Sequence, residues 1–211
     1  MSRTHKSDLA LEDVTDEQIL ERIQQGETDL FGPLIRRYEK ELFGYLRRYL
    51  GDEALAEDVF QNTFLKLFEK ADQYERGRPV RPWIYTMATH LAIDALRRSG
   101  RRPSVSLDQA LGNDAKNPSS GVDLLANRDV DPFAQLSMKE RKQLVRQSIE
   151  KLPEHLKLTL ILAYYQGMKY RDIAEVMQVP VGTVKSRLHL ALARLQELWQ
   201  QSPTLMETPS P

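Results

Sequence analysis

Residues 170–195, YRDIAEVMQVPVGTVKSRLHLALARL, contain two short helical patterns that follow each other directly. Apolar residues recur at three- and four-residue spacing on each side of Gln178-Val179-Pro180, a segment with room only for a sharp turn. Proline is well placed to open the second helix, because its fixed φ suits the start of a helix. The stretch therefore predicts two short helices joined by a tight corner, the arrangement of a helix-turn-helix unit.

The second of these helices has two different faces. At about 100° per residue the apolar residues fall in one sector, which we predict to be the buried seam. This seam comprises Val181, Val184, Leu188, Ala191, Leu192 and Leu195. The other side carries Gly182, Thr183, Ser186, Leu190 and Ala193, with His189, Arg187 and Arg194 at its edges and Lys185 beside the seam. Small central residues and basic flanks suit a helix that enters a DNA groove, although the apolar positions alone would also suit a plain helical hairpin.

The first helix of the pair is predicted to bury Tyr170, Ile173, Ala174 and Met177. A small residue such as Ala174 permits the close crossing that a helix-turn-helix requires. Gln178 occupies the turn position where many units of this kind carry glycine.

The rest of the chain is organised by the same helical spacing. From residue 29 to residue 99 the pattern predicts helices near 29–50, 52–71 and 82–98, separated by Gly51-Asp52 and by a segment with three breakers. Residues 103–135 are rich in proline, glycine, serine, asparagine and aspartate, which predicts a flexible linker. We therefore predict an all-α protein of two small helical domains joined by a flexible acidic linker. The predicted divisions are an acidic N-terminal extension (1–27), a first domain (28–102), the linker (103–135), a second domain (136–198) and a polar tail (199–211).

Charge is segregated along a chain whose formal net charge is zero. Residues 1–30 carry three Lys or Arg against eight Asp or Glu, whereas residues 138–194 carry eleven against five. Residues 76–102 hold seven arginines with Asp94 as their only acid. The planar guanidinium group forks onto oxyanions, so this cluster favours phosphate recognition, with a solvated helix end as the alternative.

The composition excludes several kinds of site. The chain has no cysteine, so it has no disulfide, no thiolate metal site and no cysteine nucleophile. Its histidines are scattered and no glycine-rich phosphate loop is present, so we expect neither enzymatic activity nor a cofactor. The N-terminal residues lack the apolar core of a signal peptide, and no window approaches the roughly 20 apolar residues that span a bilayer. We therefore expect a cytoplasmic protein with no membrane insertion of its own.

Two helices of the first domain carry candidate interaction faces. Helix 52–71 is predicted to bury Phe60, Phe64, Leu67, Phe68 and Ala71, and to align Asp58, Gln61, Asn62, Leu65 and Glu69 on its opposite face. That stripe is either solvated surface or the docking face for a partner helix. Helix 82–98 is predicted to bury Ile84, Ala88, Leu91, Ala92 and Ala95, and to show Trp83, Thr86, His90, Asp94 and Arg97. Aromatic and cationic surfaces together accept unstacked bases, unless Trp83 simply packs beneath the preceding loop.

The two domains together resemble a known family. DEALAEDVFQNTFLKLFEKADQY (52–74), followed by RPWIYTMATHLAIDALRRSGRR (81–102), resembles region 2 of bacterial RNA polymerase sigma factors of the extracytoplasmic-function (ECF) group. LPEHLKLTLILAYYQGMKYRDIAEVMQVPVGTVKSRLHLALARL (152–195) resembles their region 4. The resemblance implies a subunit that binds core RNA polymerase and directs promoter-specific initiation. The alternative is a stand-alone helix-turn-helix regulator that uses the second domain only.

The resemblance also implies a role for each candidate residue. The stripe of Asp58, Gln61, Asn62, Leu65 and Glu69 would dock on the coiled coil of the largest polymerase subunit. The loop 72–81 would capture a flipped base of the minus-ten element, and the residues implied there are Tyr74, Arg76, Arg78, Trp83, Thr86, His90, Asp94, Arg97 and Arg98. The residues implied at the minus-thirty-five element are Arg171, Thr183, Lys185, Ser186, Arg187 and His189. The linker would thread into the polymerase cleft, and the usual partner of the family is an anti-sigma factor.

Overall fold

The computed structural model describes residues 13–100 and 138–201, and every regular element within these ranges is helical. The described residues form two compact units, residues 13–100 together with 171–178, and residues 138–170 together with 179–201. The predicted all-α class with two helical units is thus confirmed. The predicted linker (103–135) lies outside the described residues, as do residues 1–12 and 202–211.

The helices predicted within residues 29–98 and 170–195 are all present, and another helix precedes them at the start of the described residues. Within residues 13–100 they are α1 (Asp16–Gln24), α2 (Phe31–Leu50), α3 (Glu53–Glu69) and α4 (Val80–Arg98), with 3-10 turns at Thr28–Leu30 and Ala71–Gln73. Within residues 138–201 they are α5 (Met138–Glu150), α6 (Glu154–Leu160) with a π-helical continuation at Ile161–Tyr165, α7 (Tyr170–Met177) and α8 (Val181–Gln200).

Helix α1 lies in the segment that we expected to be an acidic extension. Thr15 and Gln18 form a reciprocal capping box, in which the Thr15 side chain accepts from the Gln18 N–H and the Gln18 side chain accepts from the Thr15 N–H. Ile19, Leu20 and Ile23 are buried against the rest of the unit. The sequence did contain a local signal for this helix, since a capping box before an apolar i, i+4 pair marks a helix start. The acidic composition of residues 1–30 drew the prediction towards an extension instead.

Helix α4 is the centre of the first unit and packs against α1, α2 and α3. Ile84, Ala88 and Ala92 are buried as predicted, but Tyr85 and Leu96 on other sides of the helix are buried as well. The single-face prediction for this helix was therefore incomplete, since a helix enclosed by three others buries most of its circumference.

The polar groups buried around α4 are paired. The hydroxyls of Tyr45 and Thr89 lie 2.7 Å apart in the core. The Tyr85 hydroxyl donates to Glu41 Oε1 at 2.6 Å, and Arg81 donates to the same oxygen at 2.9 and 2.7 Å. Burial, followed by the hydrogen bond to Glu41, raises the pKa of Tyr85, so its hydroxyl remains a donor. These contacts satisfy polar atoms that burial would otherwise penalise.

The two faces of α3 are largely as predicted, with one exception. Phe64 and Leu67 are buried, whereas Phe68 is 53% exposed and touches the Phe31 ring edge-on at 5.2 Å. Placing Phe68 in the core was wrong, because it lies about 100° around the helix from the centre of the buried sector. Helix α3 begins where predicted, since Gly51 ends α2 in a left-handed conformation and Asp52 accepts from the Leu55 N–H at 3.0 Å.

The core of the second unit joins α5 and α6 to α8. Its buried residues are Ile149, Leu152, Leu156, Leu160, Leu188, Ala191 and Leu195. Trp199 packs against this cluster, and its indole N–H donates to Ser148 Oγ at 3.0 Å. Val181 is exposed instead of buried, because burial along α8 begins one turn later, at Val184.

Helix α7 and the turn that follows it carry one strained residue. Ile173 and Ala174 are buried as predicted, whereas Tyr170 is exposed at the first residue of the helix. Gln178 has φ 54, the left-handed region, and its N–H donates to the Glu175 carbonyl at 3.2 Å. Among the described residues it is the one non-glycine with positive φ, so the expectation that glycine suits this position has a direct structural reason.

Replacing Gln178 with glycine should stabilise the protein. The left-handed conformation costs an L-residue roughly 1 to 2 kcal/mol. Glycine avoids that cost, but it raises the entropy of the unfolded chain, which offsets part of the gain. We expect Gln178→Gly to raise the free energy of unfolding by about 1 kcal/mol in urea titrations. The matched control is Gln196→Gly, at an exposed position inside α8, which should lower the same free energy by about 1 kcal/mol. A loss of stability in both variants would contradict strain at residue 178.

Candidate nucleic-acid interface

The loop between α3 and α4 is held at both ends by α1. The Gln24 amide donates to the carbonyls of Ala71 and Tyr74 at 3.0 and 2.9 Å. Glu17 Oε1 accepts from the Val80 N–H at 3.1 Å, at the first residue of α4. Between these two anchors, residues 75–79 are all exposed. An arginine-bearing loop is thus presented to solvent with fixed ends.

Tyr74 supports this loop from inside and does not lie on its surface. Its side chain is only 5% exposed, its hydroxyl donates to the Arg78 carbonyl, and its ring lies 5.5 Å from the ring of Trp83. Burial, with smaller effects of Glu17 and Glu21, raises the pKa of Tyr74 and keeps that donor proton in place. Tyr74, which the resemblance implies among the DNA contacts, has both its polar end and its ring engaged within the protein in the free chain.

The exposed part of the loop is cationic and turned by glycine. Gly77 adopts φ 85, which an L side chain rarely takes, so the chain reverses direction there. Arg76 and Arg78 are exposed, and Arg78 forms a surface ion pair with Glu75 at 2.8 Å. Surface pairs of this kind contribute little to stability, so Arg78 is easily redirected to a phosphate.

The open side of α4 continues from this loop. Trp83, Thr86 and His90 are half-buried, and Asp94, Arg97 and Arg98 are exposed. The Trp83 ring contacts Tyr74, as the alternative interpretation of this residue expected, yet part of the indole remains accessible. The structure therefore places the predicted minus-ten residues other than Tyr74 on one accessible surface that combines aromatic, polar and cationic side chains.

His90 is uncharged on that surface at neutral pH. Burial lowers the pKa of its imidazole, and the opposing influence of Asp94 is smaller. A neutral imidazole offers one hydrogen-bond donor and one acceptor, which is what recognition of a base edge uses. Asp94 itself lies 3.6 Å from Arg97.

The outer face of α8 has the small centre that was predicted. Around Gly182 there is open space, with no atom within 4 Å of where a Cβ would lie. Lys185 is exposed, Thr183 and His189 are half-buried, and Leu190 is 46% exposed. The Ser186 hydroxyl donates to the Thr183 carbonyl at 3.1 Å. Arg171 is exposed on α7.

Arg187 departs from the sequence prediction. We expected it at the rim of the DNA-facing side, but its side chain is only 7% exposed. Desolvation lowers the pKa of this guanidinium, and its charge adds to the effect of burial in lowering the pKa of His155. The helical projection places Arg187 at the boundary between the DNA-facing side and the seam, and its side chain lies against the protein there. A direct base contact would require this side chain to move outward.

The predicted docking stripe on α3 is fully accessible. Asp58, Gln61, Asn62 and Glu69 are exposed, and Leu65 in their midst is 60% exposed. A large apolar side chain surrounded by polar ones has the composition expected of an interface anchor.

Among the residues that the structure describes, no group of three or more His, Asp or Glu side chains is arranged to hold a metal ion. No helix within residues 13–100 or 138–201 combines the length and the apolar character needed to cross a bilayer.

Comparison with known proteins gives two family matches and several relatives. Sigma-70 region 2 matches residues 34–102, and Sigma-70, region 4 matches residues 142–195. The chain is 36% identical over 181 residues to the ECF RNA polymerase sigma-E factor of Haemophilus influenzae, covering 85% of this chain and 93% of the relative. It is 33% identical over 193 residues to the RNA polymerase sigma-H factor of Pseudomonas aeruginosa, covering 91% and 96%.

Two solved structures share the fold. CnrH in complex with the cytosolic domain of CnrY aligns with a TM-score of 0.63 at 20% identity, covering 89% of this chain and 99% of that one. The sigma factor RpoE of Bartonella quintana, in complex with the anti-sigma factor NepR, aligns with a TM-score of 0.53 at 23% identity, covering 76% and 91%.

His155 should make the stability of the protein depend on pH. Because burial and Arg187 lower its pKa below the ordinary 6.5, the folded chain binds fewer protons here than the unfolded chain. The stability from neutral His155 is therefore complete above about pH 6.5 and is lost as the pH falls through the lower folded pKa. We expect urea titrations from pH 7.5 down to about pH 5 to show a smaller loss of stability in His155→Gln than in the wild type.

The control for this experiment is His189→Gln, which makes the same substitution on α8. It should keep the wild-type loss of stability at low pH. If His155→Gln and the wild type lose stability in parallel, His155 is not the responsible group.

Proposed function

Because the chain belongs to the ECF RNA polymerase sigma factors, we propose that its two helical units contact separate promoter elements while bound to core polymerase. The chain directs promoter-specific initiation, which is the function of this family. Region 2 and region 4 follow in this order in one chain, and that observation carries the conclusion. A stand-alone regulator would need only the helix-turn-helix, so it leaves the region 2 match and the coverage of whole sigma factors unexplained.

We assign minus-thirty-five recognition to residues 136–198. Helix α8 would enter the major groove with Thr183 and Ser186 nearest the bases, because small residues on this face, Gly182 among them, allow the helix backbone to come close. Lys185 and Arg171 are both exposed, and each would contact a phosphate. The remaining predicted contacts with the minus-thirty-five element come from His189 and from Arg187. The Arg187 side chain would first have to move outward.

We assign minus-ten recognition to residues 28–102. The loop 75–79 and the open side of α4 would receive a strand that has left the duplex. Flipping a base out costs a few kcal/mol, which stacking on Trp83 and contacts from Arg76, Arg78, Arg97 and Arg98 would offset once polymerase holds this unit in place. Strand opening in this scheme is driven by binding and requires no covalent chemistry.

Docking to polymerase is assigned to the stripe on α3. Leu65 would be the buried anchor, and Asp58, Gln61, Asn62 and Glu69 would form the polar rim on the coiled coil of the largest subunit. We further propose that the chain has no catalytic activity, that it acts in the bacterial cytoplasm, and that an anti-sigma factor binds it, as in the complex of the Bartonella quintana sigma factor with NepR.

The proposal is tested by adding the purified chain to core RNA polymerase and sequencing the transcripts made from genomic DNA. Start sites that share two upstream sequence elements and depend on the added chain are the expected result. Tight sequence-specific duplex binding by the chain without polymerase, and no new start sites with it, would instead identify a stand-alone regulator.

Lys185 should contribute a phosphate contact without sequence information. We expect Lys185→Ala to weaken holoenzyme binding to every promoter by a similar factor, roughly fivefold, and to reduce the salt slope of binding by about one. Lys142→Ala, at an exposed position of α5, is the matched control and should leave both values unchanged. Selective loss at some promoters would show that Lys185 reads bases.

Leu65 should act before promoter binding, at assembly with polymerase. We expect Leu65→Gln to weaken binding to core polymerase by about tenfold or more, because an apolar anchor is lost from the centre of the interface. Glu57→Gln installs the same residue at an exposed position of α3 outside the stripe and should bind core polymerase normally. Equal affinities of the two variants in a competition assay would exclude the proposed docking face.

A further inference from the structure

Helix α1 has a polar side-chain contact with each end of the loop 71–80. On its own the loop has few backbone hydrogen bonds, from Gln73 to Lys70, Tyr74 to Ala71 and Arg78 to Glu75. Residues 75–79 are exposed, and Gly77 has positive φ. A segment of this kind would sample many conformations if its ends were free.

Gln24 fixes the beginning of the loop. Its side-chain amide donates one hydrogen bond to the Ala71 carbonyl and one to the Tyr74 carbonyl, so both N–H groups of one amide are used. These carbonyls lie at the two ends of the 3-10 turn Ala71–Gln73, just before the chain becomes exposed. The side chain is half-buried, which excludes water from competing for part of this contact.

Glu17 fixes the end of the loop. The residue before α4 is Pro79, whose side chain makes no capping hydrogen bond, so the first N–H of the helix needs an acceptor from elsewhere. Glu17 Oε1 provides it, 3.1 Å from the Val80 nitrogen. A carboxylate at this position is also favoured by the positive end of the helix dipole.

The two anchors belong to one rigid element. Glu17 and Gln24 are seven residues apart, which is about two turns, so they lie on the same side of α1 about 10 Å apart. Helix α1 is itself fixed by buried Leu20 and Ile23, and by Asp16, which accepts from Arg37 and from the Tyr38 hydroxyl, both at 2.6 Å. The distance between the loop ends is therefore determined by a helix that carries none of the predicted DNA contacts.

We propose that Glu17 and Gln24 are positioning residues for the base-capturing loop, holding residues 75–79 in the conformation that receives the flipped base. This inference rests on the proposed function of the loop in minus-ten recognition. A loop that is already ordered loses less conformational freedom when it binds, so the two side chains raise affinity and base discrimination without touching DNA.

The decisive variant is Gln24→Glu, with Gln25→Glu as its matched control. Glutamate has the shape of glutamine but no N–H groups, so it removes both hydrogen bonds and faces two carbonyl oxygens with a negative charge. Gln25 is exposed and adjacent, and its substitution makes the same change of net charge. Both variants are prepared as full-length chains and assembled with core polymerase.

The probe is a single-stranded oligonucleotide carrying the non-template minus-ten sequence of a promoter identified by transcript sequencing, together with each single-base variant of it. We expect Gln24→Glu holoenzyme to bind the native oligonucleotide about tenfold more weakly, and to lose preference over the base variants by a similar factor. Gln25→Glu and the wild type should agree, and binding of core polymerase should be equal in all three. Equal binding of the oligonucleotide by Gln24→Glu and Gln25→Glu, whether normal or equally weakened, would overturn the proposal.

The contact between Glu17 and the Val80 N–H can be tested independently and without DNA, by hydrogen exchange. Glu17→Gln retains an oxygen that accepts the Val80 N–H, whereas Glu17→Ala removes it. We expect hydrogen exchange of the Val80 amide in the free chain to be about tenfold faster in Glu17→Ala and close to wild type in Glu17→Gln. Glu21→Ala, one turn further along α1, should leave exchange at Val80 unchanged. Faster exchange throughout the first unit in Glu17→Ala would indicate general destabilisation and would count against a local role.

The outcomes also separate this inference from the proposed function. If the wild-type chain directs promoter-specific transcription but Gln24→Glu equals Gln25→Glu in every assay, only the positioning role fails. If the wild-type holoenzyme shows no preference for any minus-ten oligonucleotide, the proposed function of the loop fails, and the positioning role fails with it.

Discussion

The first unit is constrained by the burial of α4 against three other helices. Tyr85 and Ile84 are fully buried. The Tyr85 hydroxyl donates to Glu41, which also accepts from Arg81, and the Thr89 hydroxyl is hydrogen-bonded to that of Tyr45. Enclosure on three sides leaves one narrow strip of the helix in contact with solvent. The backbone that carries that strip cannot shift without disturbing the core, so packing fixes the positions from which the candidate DNA-contacting side chains extend.

In the second unit, helix α8 is exposed at its start and held in place at its later turns. Helix α8 is held by its later turns, where Leu188, Ala191 and Leu195 pack on α5 and α6. Its first turn therefore projects with Val181 and Gly182 exposed, which is what entry into a groove requires. The strained conformation of Gln178 in the preceding turn lies next to this functional segment, where strain is commonly retained. Arg187 is folded against the protein in the free chain, so a contact of this side chain with DNA requires it to move outward.

The sites on the first unit depend on each other through short paths in the structure. Helix α1 reaches the loop through Glu17 and Gln24, the loop reaches α4 through the contact of Tyr74 with Trp83, and α4 is fixed to α2 through Glu41. The same contacts therefore hold the helices together and fix the loop proposed to capture a base. A family of transcription factors that recognises short elements benefits from such supports, because preorganised contacts discriminate better than contacts that form on binding.

The sequence predicted the three helices between residues 29 and 98, the helix pair within residues 170–195 and the breakers between them. It also showed the polar stripe on α3 and the motifs of regions 2 and 4, but helix α1 was missed. Helical periodicity and turn chemistry are local properties, and they assign a residue to a face whenever it lies well inside that face. Tertiary structure decided the burial of several residues that the helical pattern could not place. Phe68 and Val181 are exposed and Tyr74 and Arg187 are buried, because burial depends on which neighbouring helix covers each turn. It also decided the role of α1, since nothing in residues 16–24 indicates that Gln24 meets a loop some fifty positions away. Contacts between distant segments depend on how the helices pack, and packing is a property of the whole unit.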